Sequence, residues 1–133
     1  MSENKIREAI EAQITKLRLD GNQIADLTPL AGLTKLWGLW LADNQIADLS
    51  SLAGLTKMKM LYLDGNQITD VSPLVGLTQL TLLDLRTNQI TDVSPLARLT
   101  KLQKLDLTSN KITDHKRAML KKALPKCDIT FKD

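Results

Sequence analysis

Few residues of this 133-residue chain have the type and placement to do chemistry. Cys127 is the only cysteine, so no disulfide can close within the chain. A lone thiol becomes a nucleophile only where an exposed, electropositive setting stabilises its thiolate. His115 is the only histidine, and in "DHKRAML" it has basic neighbours and no Ser-His-Asp or Cys-His pairing. Asp26, Asp48, Asp70, Asp92 and Asp114 recur every 22 positions, as a ladder of calcium ligands would. Each stands before a turn or a helix start, however, where a short carboxylate is favoured because it bonds to the local backbone, and no EF-hand-like cluster surrounds it. Metal ligands at Cys/His spacing are absent. The chain is therefore expected to be no enzyme and to need no metal or cofactor. What is left is recognition, for which the tryptophans of "KLWGLWLADNQI" offer large amphipathic surfaces.

Whether Trp37 and Trp40 are available depends on the elements that carry them, and a repeat supplies these. Asn22, Asn44, Asn66, Asn88 and Asn110 are each 22 residues apart, with an isoleucine two positions after every one. Leucines and related residues recur in step, giving L-x-x-L-x-L-x-x-N-x-I-x-x-L/V-x-x-L-x-x-L-x-x. The L-x-L step has the period of a strand, so its leucines point one way and the residues flanking them the other. Spacings of three after the asparagine suit a tight 3₁₀-like turn on the opposite side, where Pro29, Pro73 and Pro95 oppose a longer helix. One unit of this length cannot bury its own apolar face, whereas stacked units share a continuous core and a parallel strand ladder. The asparagine column then reads as buried amides bonded to loop backbone.

These residues resemble the leucine-rich repeat, and "NQITDVSPL" at a period of 22 resembles the internalin-like bacterial subclass. The resemblance implies a single-domain α/β solenoid over 1–133: a right-handed horseshoe or arc with its strand ladder concave and its 3₁₀ turns convex. Five repeats span 14–112. A helical cap is expected over 1–13, where Ser2 can N-cap a helix presenting Ile6, Ala9 and Ile10, and a helix-and-strand cap over 113–133. Adding 22 to Leu102, Leu105 and Leu107 gives Leu124, Cys127 and Ile129, which places Cys127 at an inward, leucine-like position.

Composition limits the partners. Eighteen Lys and Arg against fifteen Asp and Glu leave a net charge of +3, with the signs interspersed. No basic block indicates nucleic acid. The sequence shows neither a signal-peptide pattern nor an apolar run of about 18 residues, so no membrane association is expected and the location is open.

The outward strand positions form three columns: Lys16, Gly38, Met60, Leu82, Lys104; Arg18, Trp40, Tyr62, Asp84, Asp106; and Asp20, Ala42, Asp64, Arg86, Thr108. In leucine-rich repeat proteins such positions bind partners, and the resemblance carries that role to these residues. Trp40 and Tyr62 should be neighbours on the concave face with Met60 and Leu82 beside them, and Trp37, at the strand's entry margin, should join them in binding a partner. Arg18, Asp84, Arg86, Lys104 and Asp106 should form a charged rim, the anatomy of a protein or peptide interface. The near-uniform units also fit an engineered or self-associating scaffold that forms a homo-oligomer through the same face. An RNA or glycan reader that stacks on Trp40 and Tyr62 is the remaining alternative.

Overall fold

The computed structural model describes residues 13–133, so the helical cap expected around Ser2, Ile6, Ala9 and Ile10 lies outside the described residues. Six strands of three residues form one parallel sheet in chain order: β1 (Lys16–Arg18), β2 (Gly38–Trp40), β3 (Met60–Tyr62), β4 (Leu82–Asp84), β5 (Lys104–Asp106) and β6 (Asp128–Thr130). Adjacent strands from β1 to β5 pair at an offset of 22, as Leu39 on Leu61 and Trp40 on Tyr62. The sequence period is thus also the period of the structure. Opposite the sheet run 3₁₀ turns at Thr28–Leu30, Ser50–Leu52, Ser72–Leu74 and Ser94–Arg98. The chain is an open solenoid with strands on one side and 3₁₀ turns on the other.

Between the two sides lie the stacked leucines. Leu39, Leu61, Leu83 and Leu105 from the strands meet Leu52, Leu74 and Leu96 from the turns, and all are essentially inaccessible. In the first repeat Ile14, Leu17, Leu19 and Ile24 are only partly buried against this core.

Asp26, Asp48, Asp70 and Asp92 start the 3₁₀ turns. Each Oδ1 accepts from the backbone N–H two residues on, at 2.8 to 3.0 Å. Those N–H donors hold the four carboxyls below the usual range. These aspartates shape turns.

The asparagines fasten unit to unit. Asn66 Oδ1 accepts from Ile46 N in the preceding repeat, while its Nδ2 donates to Leu41 O of that repeat and to Leu63 O of its own, each at 3.0 Å. Asn88 and Asn110 repeat the pattern, and Asn44 Oδ1 accepts from both Asn22 N and Ile24 N. Asn22 departs from the expected buried column: it is exposed, and its Nδ2 donates to Asp20 O two residues back. The staple needs a preceding repeat to bond with, and among the described residues none lies before Asn22.

A further column runs beside the staples. Gly21, Asp43, Gly65, Thr87 and Ser109 all have left-handed φ between 56° and 70°. Each donates its N–H across to the next strand's exit, as Thr87 N to Thr108 O. Glycine marks only two of the five.

The far end closes differently from expectation. Helix α1 (Asp114–Ala123) is N-capped by Thr113, whose side chain accepts from Lys116 N, and it buries Leu120 against the last 3₁₀ turn. Strand β6 then pairs Leu105 with Ile129, an offset of 24. Leu124 is buried as expected, but Phe131 is the buried residue after Ile129 and Cys127 falls at the strand margin, half-buried. Two residues are taken up as the chain leaves α1 through Pro125 and Lys126. Burial, with the Asp128 charge, pushes the Cys127 thiol up to about 11, the opposite of nucleophilic activation.

Candidate binding face

On the open face of the sheet the second outward column carries a stack. Trp40 and Tyr62 lie on paired strand positions, their ring centroids 5.4 Å apart and their planes within 13°. The Arg18 guanidinium, on β1, covers the other side of the indole at 4.2 Å from its centroid. Arg18, Trp40 and Tyr62 thus form one pile across three neighbouring strands, in which a cation lies on an aromatic face and the face on a second ring. Both rings are partly exposed.

Gly38 makes the pile possible. It precedes Trp40 by two on the same face, and a Cβ there would stand 2.8 Å from indole Cζ3. The indole therefore lies over the glycine, which explains why a residue poor at strand formation occupies the middle of this sheet.

Below Tyr62 the column becomes ionic. The Arg86 guanidinium grips Asp84 through Nε at 3.0 Å and Nη2 at 2.7 Å, and reaches Asp64 at 3.6 Å and Asp106 at 3.7 Å. Its hydrogen bond and ion pair with Asp84 raise the Arg86 pKa. Asp64 is held above the usual carboxylate range, first by burial and then by the Asp84 charge. The charged rim expected from Asp84, Arg86 and Asp106 is internally paired: Asp84 is only 8% exposed, while Arg86 stays exposed. Neighbouring carboxylates share one guanidinium, a bidentate arrangement lysine could not make. Lys104 remains outside, exposed at the start of β5.

Met60 and Leu82 flank the stack, each half-buried. Trp37 does not join it. Its backbone N–H donates to Thr15 O at the sheet's entry margin, Lys16 Nζ sits 5.5 Å from its ring, and it lines a separate cleft with Lys35, Lys57 and Lys59. The ionic closure of Asp84 and the Trp37 cleft had no signal in residue type, because both depend on how side chains from neighbouring repeats cross.

His115 is exposed in the first turn of α1, and no group of His, Cys, Asp and Glu among the described residues could hold a metal ion. No helix among them is long and apolar enough to cross a membrane.

Residues 38–76, 56–98 and 78–116 match the family model for leucine-rich repeats (2 copies). Among solved structures, the chain is similar to an internalin C2 of Listeria monocytogenes, with 40% identity, a TM-score of 0.83 and coverage of 94% of this chain and 55% of that one. An internalin (inlF) of the same organism shows 32% identity and a TM-score of 0.79, over 90% of this chain and 41% of that one. A leucine-rich repeat protein of Leptospira interrogans shows 27% identity and a TM-score of 0.70, over 94% and 38%. The chain thus spans 55% or less of the length of these structures. No curated protein matches it.

Proposed function

Since the chain belongs to the leucine-rich repeat family, with repeats of the internalin type, we propose that it is a non-catalytic binding module whose concave strand face grips a protein or peptide. The observation that carries this reading is the Arg18–Trp40–Tyr62 pile. Each ring is held by its neighbour before any partner arrives, so little side-chain freedom remains to be lost on binding. A rigid aromatic anchor beside half-buried Met60 and Leu82, edged by the Arg86 cluster, has the apolar middle and polar border of an interface hot spot.

The test is to select peptides from a random displayed library against the protein and to measure their affinity by calorimetry. Trp40→Ala and Tyr62→Ala should each weaken binding by about 2 kcal/mol or more, roughly thirtyfold, and Asp106→Ala should change it little. Selected peptides that bind a folded Trp40→Ala variant as tightly as the parent would place the interface elsewhere. If the partner is a second copy, sedimentation over a concentration series will show a dimer that Trp40→Ala dissolves. A parent chain that is monomeric throughout removes that version.

A further inference from the structure

The cleft at the strand-entry margin has a composition the concave face lacks. It encloses about 700 Å³ and is lined by Lys35, Trp37, Thr56, Lys57, Lys59 and Gln79, a volume within the range of small-ligand clefts. No carboxylate lines it. Lys35, Lys57, Gln79 and Lys101 occupy the same position of successive repeats, so three ammonium groups and one amide climb the solenoid along one line. Lys101 Nζ donates to Gln79 Oε1 at 3.0 Å, which joins the amide to the ladder and leaves its N–H donors for a ligand. Trp37 is the aromatic residue of the lining, half-buried.

We propose that this cleft binds an anionic polysaccharide that lies along the lysine ladder with one sugar ring against Trp37. Charge complementarity requires an anion, and the remaining lining selects among anions. An acidic peptide would be held through its carboxylates alone, because the N–H groups of this margin are already engaged: Trp37 N with Thr15 O, Lys59 N with Trp37 O, Thr81 N with Lys59 O and Gln103 N with Thr81 O, at 2.8 to 2.9 Å. A nucleic acid gains most from a run of stacking surfaces, and the cleft has one. A sugar acid or sulfated sugar uses every group present. Its apolar ring face meets the indole, its hydroxyls meet Thr56 and Gln79, and its carboxylates or sulfates meet Lys35, Lys57 and Lys59. The ammonium groups act as point charges on flexible stems, which suits anions spaced irregularly along a chain.

The experiment is a titration of the full chain with a heparin-derived octasaccharide at low salt, followed by calorimetry and by tryptophan fluorescence in a Trp40→Phe background, where Trp37 is the sole reporter. Saturable binding is expected, weakened at least tenfold by Trp37→Ala, partly restored by Trp37→Phe, weakened severalfold by Lys57→Gln and unaffected by Trp40→Ala. The last result separates this cleft from the concave face, so either site can fail without the other. The proposal is overturned if no saturable binding occurs, or if a folded Trp37→Ala variant binds as the parent does. It is also overturned if polyglutamate or an oligodeoxynucleotide of matched charge competes equally, because the cleft would then be a simple cation exchanger.

Discussion

The asparagine staples share acceptors, and that sharing makes their energetics measurable. Leu63 O accepts from Asn66 Nδ2 and from Asn88 Nδ2, both at 3.0 Å. Replacing Asn66 by Ala leaves Leu63 O with Asn88, and leaves Leu41 O with Asn44. Among these buried backbone groups only Ile46 N–H loses its sole staple, so the variant should lose about 1 to 3 kcal/mol, the usual penalty for one stranded buried donor. Asn88→Ala similarly strands Ile68 N–H and should lose a similar amount. In the double variant Leu63 O loses both donors, a defect neither single change creates. The cycle should therefore be non-additive by about 1 kcal/mol or more. Asn44 and Asn88 share no acceptor, so their double variant should be additive within about 0.5 kcal/mol. The assay is urea denaturation of all six proteins, with circular dichroism and fluorescence required to give the same transition. Additivity for the Asn66–Asn88 pair, at the level of the Asn44–Asn88 control, would mean that the shared carbonyl contributes nothing and that the staples act as separate units.

Three other predictions concern the stack and the thiol. Gly38→Ala must push the indole aside, so it should destabilise the parent by about 1 kcal/mol and weaken the near-ultraviolet signal of the Trp40–Tyr62 pair, yet be neutral or mildly stabilising in a Trp40→Ala background; an equal penalty in both backgrounds would refute the seat. Cys127, with its thiol near 11, should be labelled by a thiolate-specific reagent at pH 8 about a hundredfold more slowly in the native protein than in urea. Because folding raises this group's pKa, the stability it contributes is whole below about pH 9 and is lost as pH climbs toward 11, so Cys127→Ser should flatten the alkaline limb of the stability profile.

Much of this architecture was legible before the structure because one periodicity dictates both burial and pairing. Once the leucines of L-x-L are inward, the residues flanking them must face out, and the strand pairs Arg18–Trp40, Trp40–Tyr62 and Tyr62–Asp84 follow by counting. Counting failed where a neighbour is missing or the count changes. Asn22 has the right residue type but no earlier repeat among the described residues to staple, and adding 22 places Cys127 inward across a junction that uses 24. The signal that could have corrected the second was local: Ile129 and Phe131 restate the inward pair two residues later than the period allows. The left-handed column of Gly21, Asp43, Gly65, Thr87 and Ser109 is hidden for another reason. Its backbone demand is identical in every repeat, but the hydrogen bond each N–H makes across the ladder supports a non-glycine residue there, Thr87 included, so residue type does not report it.

The staples from Asn44 to Asn110 recur at the same offsets, 20 residues for the accepted N–H and 25 and 3 for the donated amide, so each unit presents its successor with the same acceptors and donors. Excising or duplicating one complete 22-residue unit within this stretch restores an identical set of partners at the new junction, whereas an insertion into the staple segment that is not a whole number of units leaves carbonyls facing the wrong side chains. Arc length is therefore inherited in whole steps. The outward residues travel with their unit, so tandem duplication can double an aromatic rung or dilute the Arg86 cluster without touching the scaffold. Recombination within such a gene edits the outward face in cassettes.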